Sequence, residues 1–261
     1  MSIQVIVATM HQNDYSLLDK MNIQSDAIIC NQCDKTEFTE FEYKGYNIQW
    51  LSFAERGVGL NRNNGLMRAT ADIVLFADDD EVLADGYAQM LEDYYAENPQ
   101  ADVVVFNIDR NYDGTMVPIV KKEGKANRKD VTKYGAVCIS GRRERLHFHN
   151  ITFHLQFGGG AKYSCGEDTL FLQDCCAQKL NIYVTKHTLG YVNMGDSTWF
   201  TGYTDKFFYD KGVLYYCINK NLAVLFSLYH CFKHRAIYRE YGWKNGFFQM
   251  RKGILYSKRG K

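Results

Sequence analysis

The sequence predicts an α/β protein, a largely parallel sheet with helices on both faces followed by a helical, basic C-terminal extension. Three observations lead there. Short apolar runs rich in β-branched residues recur at strand length through the first hundred residues, and segments of helical spacing fall between them. Beyond Asp205 the strand pattern gives way to helical periodicity with a strong excess of Lys and Arg.

The elements follow in order. Residues 3–8, 27–30 and 48–51 read as buried strands. The pattern turns helical between Leu60 and Ala71, returns to strand over 73–76, becomes helix over 87–96 and strand again over 103–108. After Arg110 turn signals at Tyr112-Asp113-Gly114 and Lys122-Glu123-Gly124-Lys125 predict short hairpins. His147-Phe148-His149 reads as strand, which would put two imidazoles on one side and permit a metal. A helix is expected from Gly166 to about Gln178, then a strand over 182–184. The expected organisation is a main domain over 1–204, in halves 1–110 and 111–204, and a helical region over 205–261.

The 261 residues are 46% apolar and 15% aromatic, which excludes a disordered chain. Two prolines and no Ser/Gly-rich tract leave no visible linker. The N-terminal segment lacks a basic leader and a signal-length apolar run, and the apolar stretch 222–228 falls well short of the ~20 residues that span a bilayer. A cytoplasmic protein is expected, with its eight cysteines as free thiols; Cys30-x-x-Cys33 lacks the second pair of a zinc site.

The net charge of +1 is unevenly placed. Residues 211–261 hold eleven Lys/Arg against Glu240 alone, a balance of +10, so the first 210 residues carry about −9. The cations alternate with Tyr, Phe, Leu and Trp over 232–256, the composition of an interfacial helix on an anionic membrane. The expected location is therefore the inner face of the cell membrane, as a peripheral protein. A solvated face and contact with a second subunit are the alternatives, and nucleic acid is not expected.

Asp78-Asp79-Asp80 follows directly on the apolar run 73–77. Three adjacent carboxylates at the end of a buried strand repel one another, and a hard divalent cation, Mn²⁺ or Mg²⁺, would offset that repulsion. Mg²⁺ takes few protein ligands and completes its shell with phosphate, so the triplet suggests a metal-bridged nucleotide diphosphate. A solvated turn before a helix is the other reading. Ligands of parallel sheets sit at the carboxyl ends of strands, where Asn31-Gln32, the segment ending at Arg56, and Asp78 to Asp80 would converge.

Four segments together resemble a family-2 glycosyltransferase of the bacterial surface-polysaccharide type, an enzyme of the Rossmann-like GT-A fold that moves a sugar from a nucleotide diphosphate. They are the opening strand Gln4-Val5-Ile6-Val7-Ala8-Thr9, the segment Gly59-Leu60-Asn61-Arg62-Asn63-Asn64-Gly65-Leu66, the acidic strand end Leu75-Phe76-Ala77-Asp78-Asp79-Asp80-Glu81, and the stretch from Gly158-Gly159-Gly160 through Gly166-Glu167-Asp168 to Phe171. The resemblance implies metal ligands at Asp80 and Asp78, with His187 as a third, and a donor site of Thr9, Asn31, Gln32, Arg56, Arg62, Asn63, Asp78 and Asp79. It implies Asp168 as the base that takes the acceptor proton and Glu167 as its neighbour on acceptor hydroxyls, with the two roles exchangeable. Gly159, Gly160, Glu167 and Trp199 would line the acceptor side. The opening strand departs from the commoner Pro-Thr-Tyr-Asn ending, and the usual Asp after the second strand is absent.

The expected activity is inverting, metal-dependent transfer from a UDP-sugar to a glycan acceptor, oligosaccharide or lipid-linked. A sugar-phosphate nucleotidyltransferase would show a Gly-rich, Arg/Lys-bearing loop after its first strand, and residues 10–17 contain none of these. A non-catalytic carbohydrate-binding protein on the same fold would differ in tolerating loss of Asp168.

Overall fold

The computed structural model describes residues 1–194 and 202–260. One sheet contains β1 (Ile3–Met10), β2 (Asp26–Gln32), β3 (Glu37–Tyr43), β4 (Tyr46–Phe53), β5 (Ile73–Asp78), β6 (Glu81–Leu83), β7 (Val103–Tyr112), β8 (Thr115–Pro118), β9 (Gly124–Lys125), β10 (Ile139–Arg142) and β11 (Ile182–Asn193). The helices are α1 (Leu17–Lys20), α2 (Val58–Arg68), α3 (Tyr87–Glu97), α4 (Arg143–Phe148), α5 (Glu167–Ala177), α6 (Asp205–Ile218), α7 (Ala223–Lys233), α8 (Tyr238–Tyr241) and α9 (Trp243–Lys258).

The sheet order is β3-β4-β2-β1-β5-β10-β7-β11-β6, with β8 on β7 and β9 on β11. Strands β4, β2, β1 and β5 run parallel, as do β7 and β11. The apolar runs over 3–8, 27–30, 48–51, 73–76, 103–108 and 182–184 are all strands, each longer than the run that announced it. The antiparallel β10, which separates β5 from β7, was not foreseen. Its four residues Ile-Ser-Gly-Arg carry too little apolar pattern to be read. Strand β7 crosses the expected boundary at residue 110, so both halves share one sheet.

Two hairpins use the same turn. Lys44-Gly45 joins β3 to β4 and Asp113-Gly114 joins β7 to β8, each pair with both φ values positive, the geometry that matches strand twist. Residues 147–149 correct the expected strand. Arg143–Phe148 is helix, anchored by the buried Leu146, and His147 Nε2 lies 3.0 Å from the Leu66 carbonyl oxygen. On a helix the two imidazoles no longer share a face.

Parallel pairing brings Thr9, Asn31 and Ser52 into register at the carboxyl ends of β1, β2 and β4, while Ala8 pairs with Asp78 of β5. Helix α2 lies against β1 and β2 at a distance set by Gly65. A Cβ there would overlap Ile6 Cγ2 and stand 3.0 Å from Cys30 Sγ. This close approach seats α2, which carries Arg62, directly on β1 and β2.

The C-terminal helices hold a core of their own around Phe208, Cys231, Tyr238 and Met250. Helices α6 and α9 cross in contact, because a Cβ on Gly212 would overlap the Met250 carbonyl and one on Gly253 the Tyr209 carbonyl. Helix α6 also joins the main domain, where Val213 and Leu214 pack with Phe157, Tyr163 and Leu170. Among the described residues, no helix is long and apolar enough to cross a membrane.

Candidate active site

Arg62 comes from the second turn of α2, and its side chain is only 3% exposed. Nη2 donates to Asp78 Oδ1 at 2.6 Å, and Nη1 donates to Glu167 Oε1 at 2.9 Å. Burial opposes the guanidinium charge, but the carboxylates on both sides more than offset it, and its pKa is raised. One planar fork thus ties the end of β5 to the first turn of α5.

Glu167 is buried, and its second oxygen accepts from the Gly166 amide at 3.2 Å. Beside it, Asp168 is partly exposed, and its Oδ1 accepts from the Thr169 amide at 2.6 Å. Desolvation, then the Glu167 charge, push the Asp168 carboxyl up to about 6 despite that bond. A carboxyl so poised can accept a proton near neutral pH.

The acidic strand end is held from several directions. Thr9 Oγ1 donates to Asp79 Oδ2 at 2.5 Å, and Lys20 Nζ donates to the Asp79 carbonyl at 3.0 Å. The Asp78 amide donates to Glu81 Oε1 at 2.6 Å. Glu81 is buried, and desolvation with the Asp78 charge raises its pKa well above the usual carboxylate range. Asp80 reaches solvent, yet desolvation by the surrounding protein, and then the Asp78 and Asp79 charges, raise its carboxyl as well. The hard oxygens of Asp78 and Asp80 and this surplus of negative charge fit a hard divalent cation such as Mn²⁺ or Mg²⁺. Among the described residues no three His, Cys, Asp or Glu side chains converge on a metal-sized site. Two carboxylates with phosphate and water suffice for Mg²⁺.

The family model for glycosyl transferase family 2 matches residues 15–160, more than half of the chain. The chain belongs to glycosyl transferase family 2. Its fold is similar to that of S. aureus TarS. The crystal structure of TarS residues 1–349 with UDP-GlcNAc superposes with a TM-score of 0.67 at 16% identity, covering 97% of this chain and 82% of that one. The complex of the same TarS region with UDP gives 0.61 at 16% identity over 90% and 73%. At this identity the likeness establishes the GT-A fold. No curated protein matches the sequence.

Within this glycosyltransferase the sequence-predicted residues divide by what holds them. Arg62, Asp78 and Glu167 meet directly, with Asp168 next to Glu167; Thr9, Asp79 and Asp80 stand on the same strand ends. Several others are engaged by the protein itself. Asn31 is buried, accepting from the Gln12 amide and donating to its carbonyl, both at 3.0 Å. Gln32 Oε1 accepts from the Gly57 amide at 2.8 Å, ahead of α2. Asn63 clamps Phe153 through its amide and carbonyl, both at 2.8 Å. Arg56 binds the Cys33 carbonyl at 2.8 Å and Asp34 Oδ1 at 2.9 Å.

The triple glycine supports α2 and α5. The Gly159 carbonyl accepts from the Val58 amide at 2.9 Å, and a Cβ on Gly158 would lie 2.7 Å from the Glu167 carboxyl carbon. Gly160, at φ +77, passes Gly57, where its Cβ would stand 3.0 Å from the amide nitrogen. His187 lies on β11, its Nδ1 2.6 Å from Thr185 Oγ1 and its ring against Tyr94; the structure does not bring it to Asp78 and Asp80. Trp199 lies outside the described residues.

Sequence reading missed Gln12, which donates to Thr9 Oγ1 at 2.9 Å and so links the Asn31 and Asp79 contacts. It also missed Asn61, buried beside Arg62 with neither amide atom hydrogen-bonded, and Glu81, buried at the end of the acidic run. A single asparagine on a helix that already carries Arg62, Asn63 and Asn64 gives no signal until its burial is known, whereas Glu81 could have been read from the run of four acids.

Proposed function

We propose that this chain is an inverting, metal-dependent glycosyltransferase that moves a sugar from a UDP-linked donor to a hydroxyl of a lipid-linked glycan acceptor in surface-polysaccharide assembly. The observation that carries the reading is the Arg62 fork between Asp78 and Glu167, which spaces a diphosphate-side carboxylate from an acceptor-side pair. TarS, whose fold the chain shares, is solved with UDP-GlcNAc and with UDP, and this supports a uridine donor.

Asp78 and Asp80 would hold Mn²⁺ or Mg²⁺, which when bound offsets the charge on the departing diphosphate. Asp168 takes the proton of the acceptor hydroxyl as its oxygen forms the bond to the anomeric carbon. The bond from that carbon to the diphosphate breaks at the same time, and its electron pair leaves with UDP. Attack from the face opposite the leaving group inverts the anomeric centre. Glu167, held by Arg62, orients the acceptor hydroxyl and raises the basicity of Asp168 through its charge.

Calorimetry tests the donor half. UDP, GDP, CDP and dTDP are titrated with and without Mn²⁺ into the wild type and into Asp80→Ala. Selective, Mn²⁺-dependent binding of UDP that Asp80→Ala abolishes is the expected result. Binding of no nucleotide under either condition would overturn the reading in favour of a non-catalytic protein on this fold.

A further inference from the structure

Helix α7 turns a hydrophobic face outward. Leu225, Leu228, Tyr229 and Phe232 follow helical spacing and are 59%, 44%, 60% and 70% exposed. Its first ten residues carry no Lys, Arg, Asp or Glu, and the helix ends on Lys233. Trp243, 54% exposed at the start of α9, stands close to α7, its carbonyl 3.9 Å from Cys231 Sγ. A soluble protein rarely leaves such a stripe uncovered.

The cations around this face sit over its aromatic rings. Lys233 Nζ lies 5.6 Å from the Tyr229 ring centroid, the Arg235 guanidinium 4.2 Å from that of Phe232, and Lys244 Nζ 5.9 Å from that of Trp243. The sequence from Lys211 to Lys261 offers only Glu240 to neutralise them. A twofold contact between copies would set each cluster of cations against its own equivalent, and a neutral apolar partner would leave the charge unmatched. An anionic bilayer satisfies both features, with the apolar side chains entering the headgroup boundary and the cations meeting lipid phosphates.

We infer that α7 and the start of α9 dock the protein on an anionic lipid surface. The docked unit abuts the catalytic elements. Leu214 of α6 fills the space where a Cβ on Gly166 would lie, 2.6 Å from its Cδ1, and Asp210 accepts from the Ser164 amide at 2.9 Å. Gly166 caps the helix that opens with Glu167-Asp168, so docking would fix the acceptor side of the site relative to the membrane. The lipid-linked acceptor rests on the proposed function; the docking does not.

The test is flotation of the full chain with vesicles of phosphatidylcholine alone and with a quarter phosphatidylglycerol. Wild type should float only with the anionic vesicles and release in high salt. Lys233→Glu with Arg235→Glu should weaken partitioning at least about fivefold per charge reversed, and Leu225→Ser with Phe232→Ser at least about tenfold. All four residues are exposed, and both variants should keep the wild-type melting temperature and UDP binding. Failure of the wild type to float, or equal flotation with neutral vesicles, would overturn the inference whatever UDP does. So would a doubled mass in light scattering that Leu225→Ser with Phe232→Ser returns to the monomer.

Discussion

Arg62 and Glu167, 105 positions apart in the sequence, meet at 2.9 Å in a buried ion pair. Because the same guanidinium also holds Asp78 at 2.6 Å, the end of β5 and the first turn of α5 share one cation. Removing it leaves two carboxylates without their partner. Arg62→Met should therefore destabilise the fold by about 3 kcal/mol, the cost of an uncompensated buried charge. Arg62→Lys keeps the charge but not the fork, and should lower kcat/KM about a hundredfold with a smaller loss of stability. Urea unfolding and steady-state UDP release separate the two effects.

The pH profile should report Asp168. Its carboxyl is pushed up to about 6, so kcat/KM should rise with pH through about 6 as the base loses its proton. Glu167→Gln removes the neighbouring charge that helps raise it, and the acid limb should move down. Asp168→Asn should abolish transfer while leaving UDP binding intact. The same variant should gain about 2 kcal/mol of stability at pH 7.5, since folding no longer raises a carboxyl above its unfolded value. An acid limb that stays in place in Glu167→Gln would remove Asp168 as its source.

Gly65→Ala tests the packing beneath the site. The added methyl would overlap Ile6 and press on Cys30 at 3.0 Å, and the sheet side of that contact is fully buried. Overpacking of this kind costs about 1–3 kcal/mol. Since α2 carries Arg62, its displacement should also weaken UDP binding. A stable Gly65→Ala protein with unchanged binding would show that α2 has room to move.

How far the sequence could be read depends on whether a residue's neighbours in space were also its neighbours in sequence. The six apolar runs that became strands, the acid run 78–81 and the pair Glu167-Asp168 are local patterns, and each stands where the sequence reading put it. The Arg62 fork joins α2, β5 and α5, so the sequence could nominate its members without showing that they touch. Asn63 and the triple glycine read as ligand groups because polar side chains and flexible backbone suit ligands. Their hydrogen-bonding atoms instead serve Phe153 and Val58, contacts that only tertiary structure reveals. His147 and His149 misled through a period of two that a short helix anchored by Leu146 overrode.

His230 predicts the acid behaviour of the C-terminal unit. It is buried, with Nδ1 2.6 Å from the Tyr238 hydroxyl and its ring 4.6 Å from that of His234. Desolvation, then the positive charges of His234, Lys211 and Lys233, push its imidazole down to about 3. The unfolded chain therefore binds the proton first as pH falls below about 6.5, and stability drops from there toward pH 3. At pH 5 the loss should be about 2 kcal/mol relative to pH 7.5. Asp168 works in the opposite direction, because its raised carboxyl is protonated earlier in the folded state and stability returns as pH falls from about 6 toward 3.8. The two contributions partly cancel in the wild type, and single variants separate them. His230→Gln removes the titrating imidazole but keeps an acceptor for Tyr238, so urea midpoints should then rise rather than fall between pH 6 and pH 5. Asp168→Asn should leave the His230 loss uncovered and steepen the decline. If His230→Gln declines as the wild type does, the acid sensitivity arises elsewhere in the chain.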